Sequence, residues 1–93
     1  MKNQTYIIRT DRAGVFFAEV TERNGSEAKL VNARRIHYWH NATDCIGISQ
    51  TGVGPDSRLT VTVPEMEVLG VIEVIPCTEA ADKNLREVKE WRH

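Results

Sequence analysis

At 93 residues the chain has room for one core and no second domain, so residues 1–93 are read as a single domain. Hydrophobic residues make up 41% and charged residues 27%, the balance of a folded globular chain, which excludes a disordered tail, a collagen-like repeat and a disulfide-stapled toxin. Twelve basic against thirteen acidic residues give a net charge of −1, which argues against sequence-independent nucleic-acid or anionic-membrane binding and makes any anion site local.

Thr5 to Thr10 is rich in β-branched and aromatic types and reads as a first strand, with Asp11 to Gly14 as its turn. A second strand from Gly14 to Arg23 meets Asn24-Gly25, the dipeptide suited to a two-residue type I′ turn. Closing the hairpin there sets Arg23 opposite Ser26, Val20 opposite Lys29, Ala18 opposite Val31 and Phe16 opposite Ala33. Glu19 then meets Leu30 and Phe17 meets Asn32 on the other side. Apolar character on both faces predicts a sheet that is covered or curled.

The third strand is expected from about Glu27 to about Tyr38, followed by a short helical turn capped by Thr43 and running through about Gln50. Gly52 to Ser57 is a loop by composition. Leu59, Val61 and Val63 alternate with Thr60 and Thr62 as a half-buried strand ended by Pro64, and Val68 to Ile75 reads as an interior strand ended by Pro76. Thr78 caps a last helix whose Ala81, Leu85 and Val88 form one stripe, with Trp91 expected to pack on this domain or on a neighbouring copy. The fold expected is α+β: a five-stranded, mainly antiparallel, barrel-like curled sheet with one short helix after the third strand and a C-terminal helix. A chain this short buries a modest fraction of its surface, which predicts a homo-oligomer.

The densest chemistry lies in Asn32 to Asn41. On a strand, Arg34, Ile36, Tyr38 and His40 share one side and Arg35, His37 and Trp39 the other. Guanidinium forks grip phosphate or carboxylate, and aromatic rings stack on bases, so Arg34, Arg35, His37, Tyr38 and Trp39 are the candidate ligand-binding set. The competing reading makes the aromatics core or oligomer anchors with arginines snorkelling over them. A metal reading through His37, His40, Asp44 and Cys45 lacks the spacing of a ligand set, and no metal or cofactor is expected. A Cys45–His40 nucleophile pair would need an oriented base and an electropositive pocket; a small buried hydrophobe is the commoner role of such a cysteine. Gly52-Val53-Gly54 lacks the pattern and context of a phosphate loop, and Glu65 and Glu67 read as a solvated edge that resists aggregation. Cys45 and Cys77 show no CxxC spacing, no secretory leader pattern precedes them, and no run is long enough to span a membrane; both are read as reduced cytoplasmic thiols.

The hairpin GVFFAEVTERNG at 14–25, the segment NARRIHYW at 32–39 and the junction VIEVIPCTEAA at 71–81, with Trp91, resemble a family of small phage and prophage proteins known only as a domain of unknown function. The resemblance covers about residues 14 to 92. The chain departs from it at His37, where relatives typically carry Trp, and at Asp44 to Gly52, which is more helical in them. It carries no catalytic residues with it. It implies a small phage protein in a host bacterial cytoplasm that acts by stoichiometric binding, sequestering a nucleotide messenger or blocking a host defence protein. The expectation is therefore a non-enzymatic accessory protein, with anti-defence as the role the resemblance implies, offering Arg34, Arg35, His37, Tyr38 and Trp39, with the Gly52 to Ser57 loop as a further candidate, to an anionic nucleotide-like ligand. A protein-interaction module docking its aromatic segment on a host protein is the alternative, and a small hydrolase using His37, His40 or Cys45 ranks third.

Overall fold

A computed structural model describes residues 4–39, 42 and 44–91. Within them the chain forms β1 (Tyr6–Thr10), β2 (Val15–Asn24), β3 (Glu27–Tyr38), α1 (Cys45–Thr51), β4 (Arg58–Leu59), β5 (Val63–Val68), β6 (Val71–Pro76) and α2 (Glu79–Glu87). The strands make one antiparallel sheet in the order β4-β3-β2-β1-β6. β3 carries a second partner on its β4 side, because its first half pairs with β5 and its second half with β4.

Alternation explains why both faces are apolar. Ile7 pairs with Phe17 on one face and Ile8 with Phe16 on the other. The first pair belongs to a core roofed by the helices, with Ile36, Ile48, Leu59, Ala81 and Leu85. The second belongs to a core that the curled sheet wraps around, with Ala18, Leu30, Ala33, Val68 and Val71. One face is thus covered and the other curled, and the sheet is not closed.

Six strands form instead of five because both later strands are interrupted. Leu59 to Val63 is no continuous strand: Thr60, whose N–H donates to the Arg35 carbonyl, is still tied to the β3 edge, the ladder then lapses, and pairing resumes at Val63. Pro64 lies inside β5 rather than ending a strand, tolerated because β5 pairs only with β3 and its outer side needs no N–H. Val68 to Ile75 is broken at Leu69-Gly70, and β6 is an edge strand, with Leu69 and Ile72 exposed, rather than an interior one. Glu65 and Glu67 are exposed on β5, and their charges add to that of Glu22, the main cause, in raising the Lys29 pKa.

The central hairpin turns one residue later than expected. Asn24 pairs with Glu27, leaving Gly25-Ser26 as the loop, with positive φ at Gly25 alone, the pattern of a type II′ turn. The register differs accordingly: Val20 faces Leu30, Glu19 faces Val31 and Phe16 faces Arg35. Two bulges absorb the difference, and one places Asn32 at φ 52, where its side chain donates to Glu19 at 3.0 Å. The helix boundaries also move. Thr43, the expected cap of α1, lies outside the described residues; Asp44 is the cap, its Oδ1 accepting from Gly47 N–H at 2.9 Å. Thr78 Oγ1 accepts from Ala81 N–H at 3.1 Å and donates to the Gln50 carbonyl at 2.6 Å, so one hydroxyl caps α2 and ties it to α1.

Candidate cation–aromatic site

The end of β3 decides where each candidate side chain goes. Ile36 pairs with Leu59 and both enter the helix-side core, so Arg35, His37 and Arg58 point to the opposite face. Between Ile36 and Tyr38 the pairing with β4 slips by one residue, and Tyr38 then faces Arg58. This bulge turns His37 and Tyr38, adjacent in sequence, to the same face.

Four groups meet there. The Arg58 guanidinium lies 5.7 Å from the Tyr38 ring centre and 4.9 Å from that of Trp91. His37 stacks on Trp91 with centroids 5.5 Å apart and planes 14° apart. Trp91 is held by its own backbone, its N–H donating to the Leu59 carbonyl at 2.8 Å beside a bridge between Leu59 and Glu90. The Arg35 guanidinium lies 5.2 Å from the Phe16 ring, its backbone tied to Thr60, two residues along from Arg58. Among the described residues neither Arg35 nor Arg58 has a carboxylate within ion-pair distance; aromatic rings hold both. Tyr38 is half exposed and His37 exposed.

The predicted set is therefore divided three ways. Arg35, His37 and Tyr38 share the outer face. Arg34 is only 4% exposed and points the other way: its Nε donates to the Thr60 carbonyl and its Nη1 to the Leu85 carbonyl, both at 2.8 Å. Burial lowers its pKa while the charge of Glu90 opposes that shift, and the cation stays inside as a strut between the sheet and the end of α2. Trp39 packs against the helix-side core, beside Cys45 and Ile46. Sequence reasoning missed Arg58, which looks like an ordinary loop-exit residue, and placed Trp91 only as a packing residue; the alternation Arg58-Leu59-Thr60 around one buried Leu was the available signal.

The other motifs resolve as structure. Gly52 ends α1 at φ 81, and the Asn84 side chain clamps the loop by accepting from Val53 N–H at 2.8 Å and donating to the Val53 carbonyl at 3.0 Å. The start of the Gly52 to Ser57 loop is thus held by α2, while its end leads directly into Arg58. Cys45 and Cys77 are free and buried in the helix-side core. Burial raises the pKa of both, that of Cys77 to about 11, which keeps the thiols protonated and is opposite to what a nucleophilic thiolate requires. His40 lies outside the described residues. Among those described, no group of His, Cys, Asp and Glu is placed to hold a metal ion, and no helix is long and apolar enough to cross a membrane.

A curled, open antiparallel sheet with two helices on one face, and on the other arginines with no carboxylate partner among the described residues, defines a small α+β domain. The chain belongs to the family described as a domain of unknown function, DUF6948, whose model matches residues 3–85. No curated protein and no solved structure matches it significantly.

Proposed function

We propose that this protein is a non-enzymatic phage accessory protein of the host cytoplasm that assembles as a homo-oligomer and holds an anionic, planar ligand of the nucleotide kind. The observation that carries this reading is the pair of arginines, Arg35 and Arg58, on one face with rings for support and no carboxylate partner among the described residues. A guanidinium already oriented by a ring, and with no carboxylate partner among the described residues, meets a phosphate with little rearrangement. Tyr38 offers ring surface beside it for a base. The ligand set of this reading is Arg35, Arg58, His37, Tyr38 and Trp91; Arg34 and Trp39 support the scaffold. The anti-defence role rests on the phage resemblance and consists of sequestering a signal rather than consuming it.

Thermal melts with a panel of mono-, di- and cyclic nucleotides test it, since a ligand bound to the folded state alone raises the melting temperature with concentration. At least one member is expected to stabilise the wild type and to lose that effect in Arg58→Ala and Arg35→Ala. Absence of stabilisation by every member overturns the nucleotide reading and moves the assignment to direct contact with a host protein.

A further inference from the structure

Away from the arginine face, on the helix side of the sheet, a cleft of about 390 Å³ opens between β1, β6 and the start of α1. Its size falls in the range of small-molecule sites. Trp39, Val15 and Ile46 line it, with the Cys45 thiol among them, and Ile46 is 57% exposed. The polar side is an ion pair. Arg9 and Glu73 stand directly opposite each other on β1 and β6, with Arg9 Nη1 3.2 Å from Glu73 Oε1. Asp44 also borders the cleft, its Oδ1 engaged by Gly47 N–H.

We propose that this cleft binds a free α-amino acid with an apolar side chain, its carboxylate on Arg9, its ammonium on Glu73 and its side chain against Trp39, Val15 and Ile46. The two charges of an α-amino acid share one carbon, so their receptors must lie side by side, as cross-strand neighbours in register do. The side chains of Arg9 and Glu73 are 51% and 40% exposed, and a solvated pair of this kind contributes little to stability. Exchanging it for the two ends of a zwitterion therefore costs the fold little, and the ligand regains both charge-assisted bonds. The aromatic wall rewards an apolar side chain and attracts the ammonium as well. This site is independent of the arginine face.

Calorimetric titration of the full chain with leucine, methionine and phenylalanine, alongside NMR of the Trp39 indole, tests it. N-acetyl-leucine lacks the ammonium, and 6-aminohexanoate separates the two charges. Saturable binding of a free amino acid, with both controls at least about tenfold weaker, is the expected result. Glu73→Gln and Arg9→Gln are each expected to weaken binding by about tenfold or more, with the melting temperature within about 2 °C of wild type. No saturable binding up to about 10 mM, equal binding of N-acetyl-leucine, or binding unaffected by both substitutions would overturn the assignment.

Discussion

Arg34 and Arg35 are neighbours with opposite fates. In sequence the two are equivalent candidates for an anion. The register of β3 separates them, sending Arg34 beneath α2 and Arg35 onto the Phe16 ring. Removing the Arg34 guanidinium leaves the Thr60 and Leu85 carbonyls without their donors, so Arg34→Met is expected to cost about 2–4 kcal/mol, measured by urea unfolding. Arg34→Lys should recover part of that loss, since an ammonium reaches one carbonyl but lacks the fork to hold both. Gly52 is a second position where one residue type is required. It sits at φ 81, and an added Cβ would collide with the Asn84 side chain that clamps Val53. Gly52→Ala is expected to destabilise by about 1–3 kcal/mol. In the double variant with Asn84→Ala the two losses should be less than additive, because the clash and the clamp share one side chain.

At the scale of elements, periodicity revealed some features and concealed others for identifiable reasons. The limits of β3 were legible because Glu27 to Tyr38 has strand-forming composition throughout, and its observed bounds agree. The cap of α2 was legible because Thr78 precedes a helical stripe without competitors. The hairpin loop was misplaced because Asn24-Gly25 and Gly25-Ser26 both satisfy the need for positive φ at Gly25, and the bulges that settle the register have no local signature. The break between β4 and β5 was hidden for a different reason: Leu59 to Val63 alternates perfectly, yet the ladder with β3 stops at Leu59 and resumes only at Val63. A buried polar junction was likewise invisible. Asp82 on α2 accepts from Thr5 Oγ1 at 2.5 Å and from Arg86 Nε at 2.9 Å, locking the start of β1 to the helix across most of the chain. Cys77 lies beside it, and burial raises its thiol pKa from 9.0 to about 11. Between those values the unfolded chain has released a proton that the folded one keeps. The stabilising contribution of the protonated thiol is therefore complete below about pH 9 and falls away as pH rises towards 11. Chemical denaturation from pH 8 to 11 should show this decline, and Cys77→Ala should make it shallower, the buried Cys45 contributing the same sign.

For the whole molecule, sharing apolar residues between both faces of one sheet has a functional consequence. The helices cover one face, and the other curls over its own core, while the end of β3 is one place where outer-face side chains reach solvent. There the sheet presents Arg35, His37, Tyr38 and Arg58, with Trp91 brought back by the chain after α2. The segment Arg34 to Trp39 was legible as a concentration of chemistry, but its division between interior and surface was not, because the bulge at Tyr38 and the return of Trp91 are tertiary facts. An arginine site of this kind should respond to salt, and ligand stabilisation is expected to weaken as ionic strength rises, read as a falling melting-temperature shift between low and high salt. Native mass spectrometry of the protein produced in and purified from bacterial cells tests the central claim most directly. A discrete oligomer carrying an adduct of a few hundred daltons, released on denaturation and absent from Arg58→Ala but retained in Arg12→Ala, is the predicted result. An adduct-free wild-type protein, or an adduct that survives loss of both Arg35 and Arg58, would contradict the account.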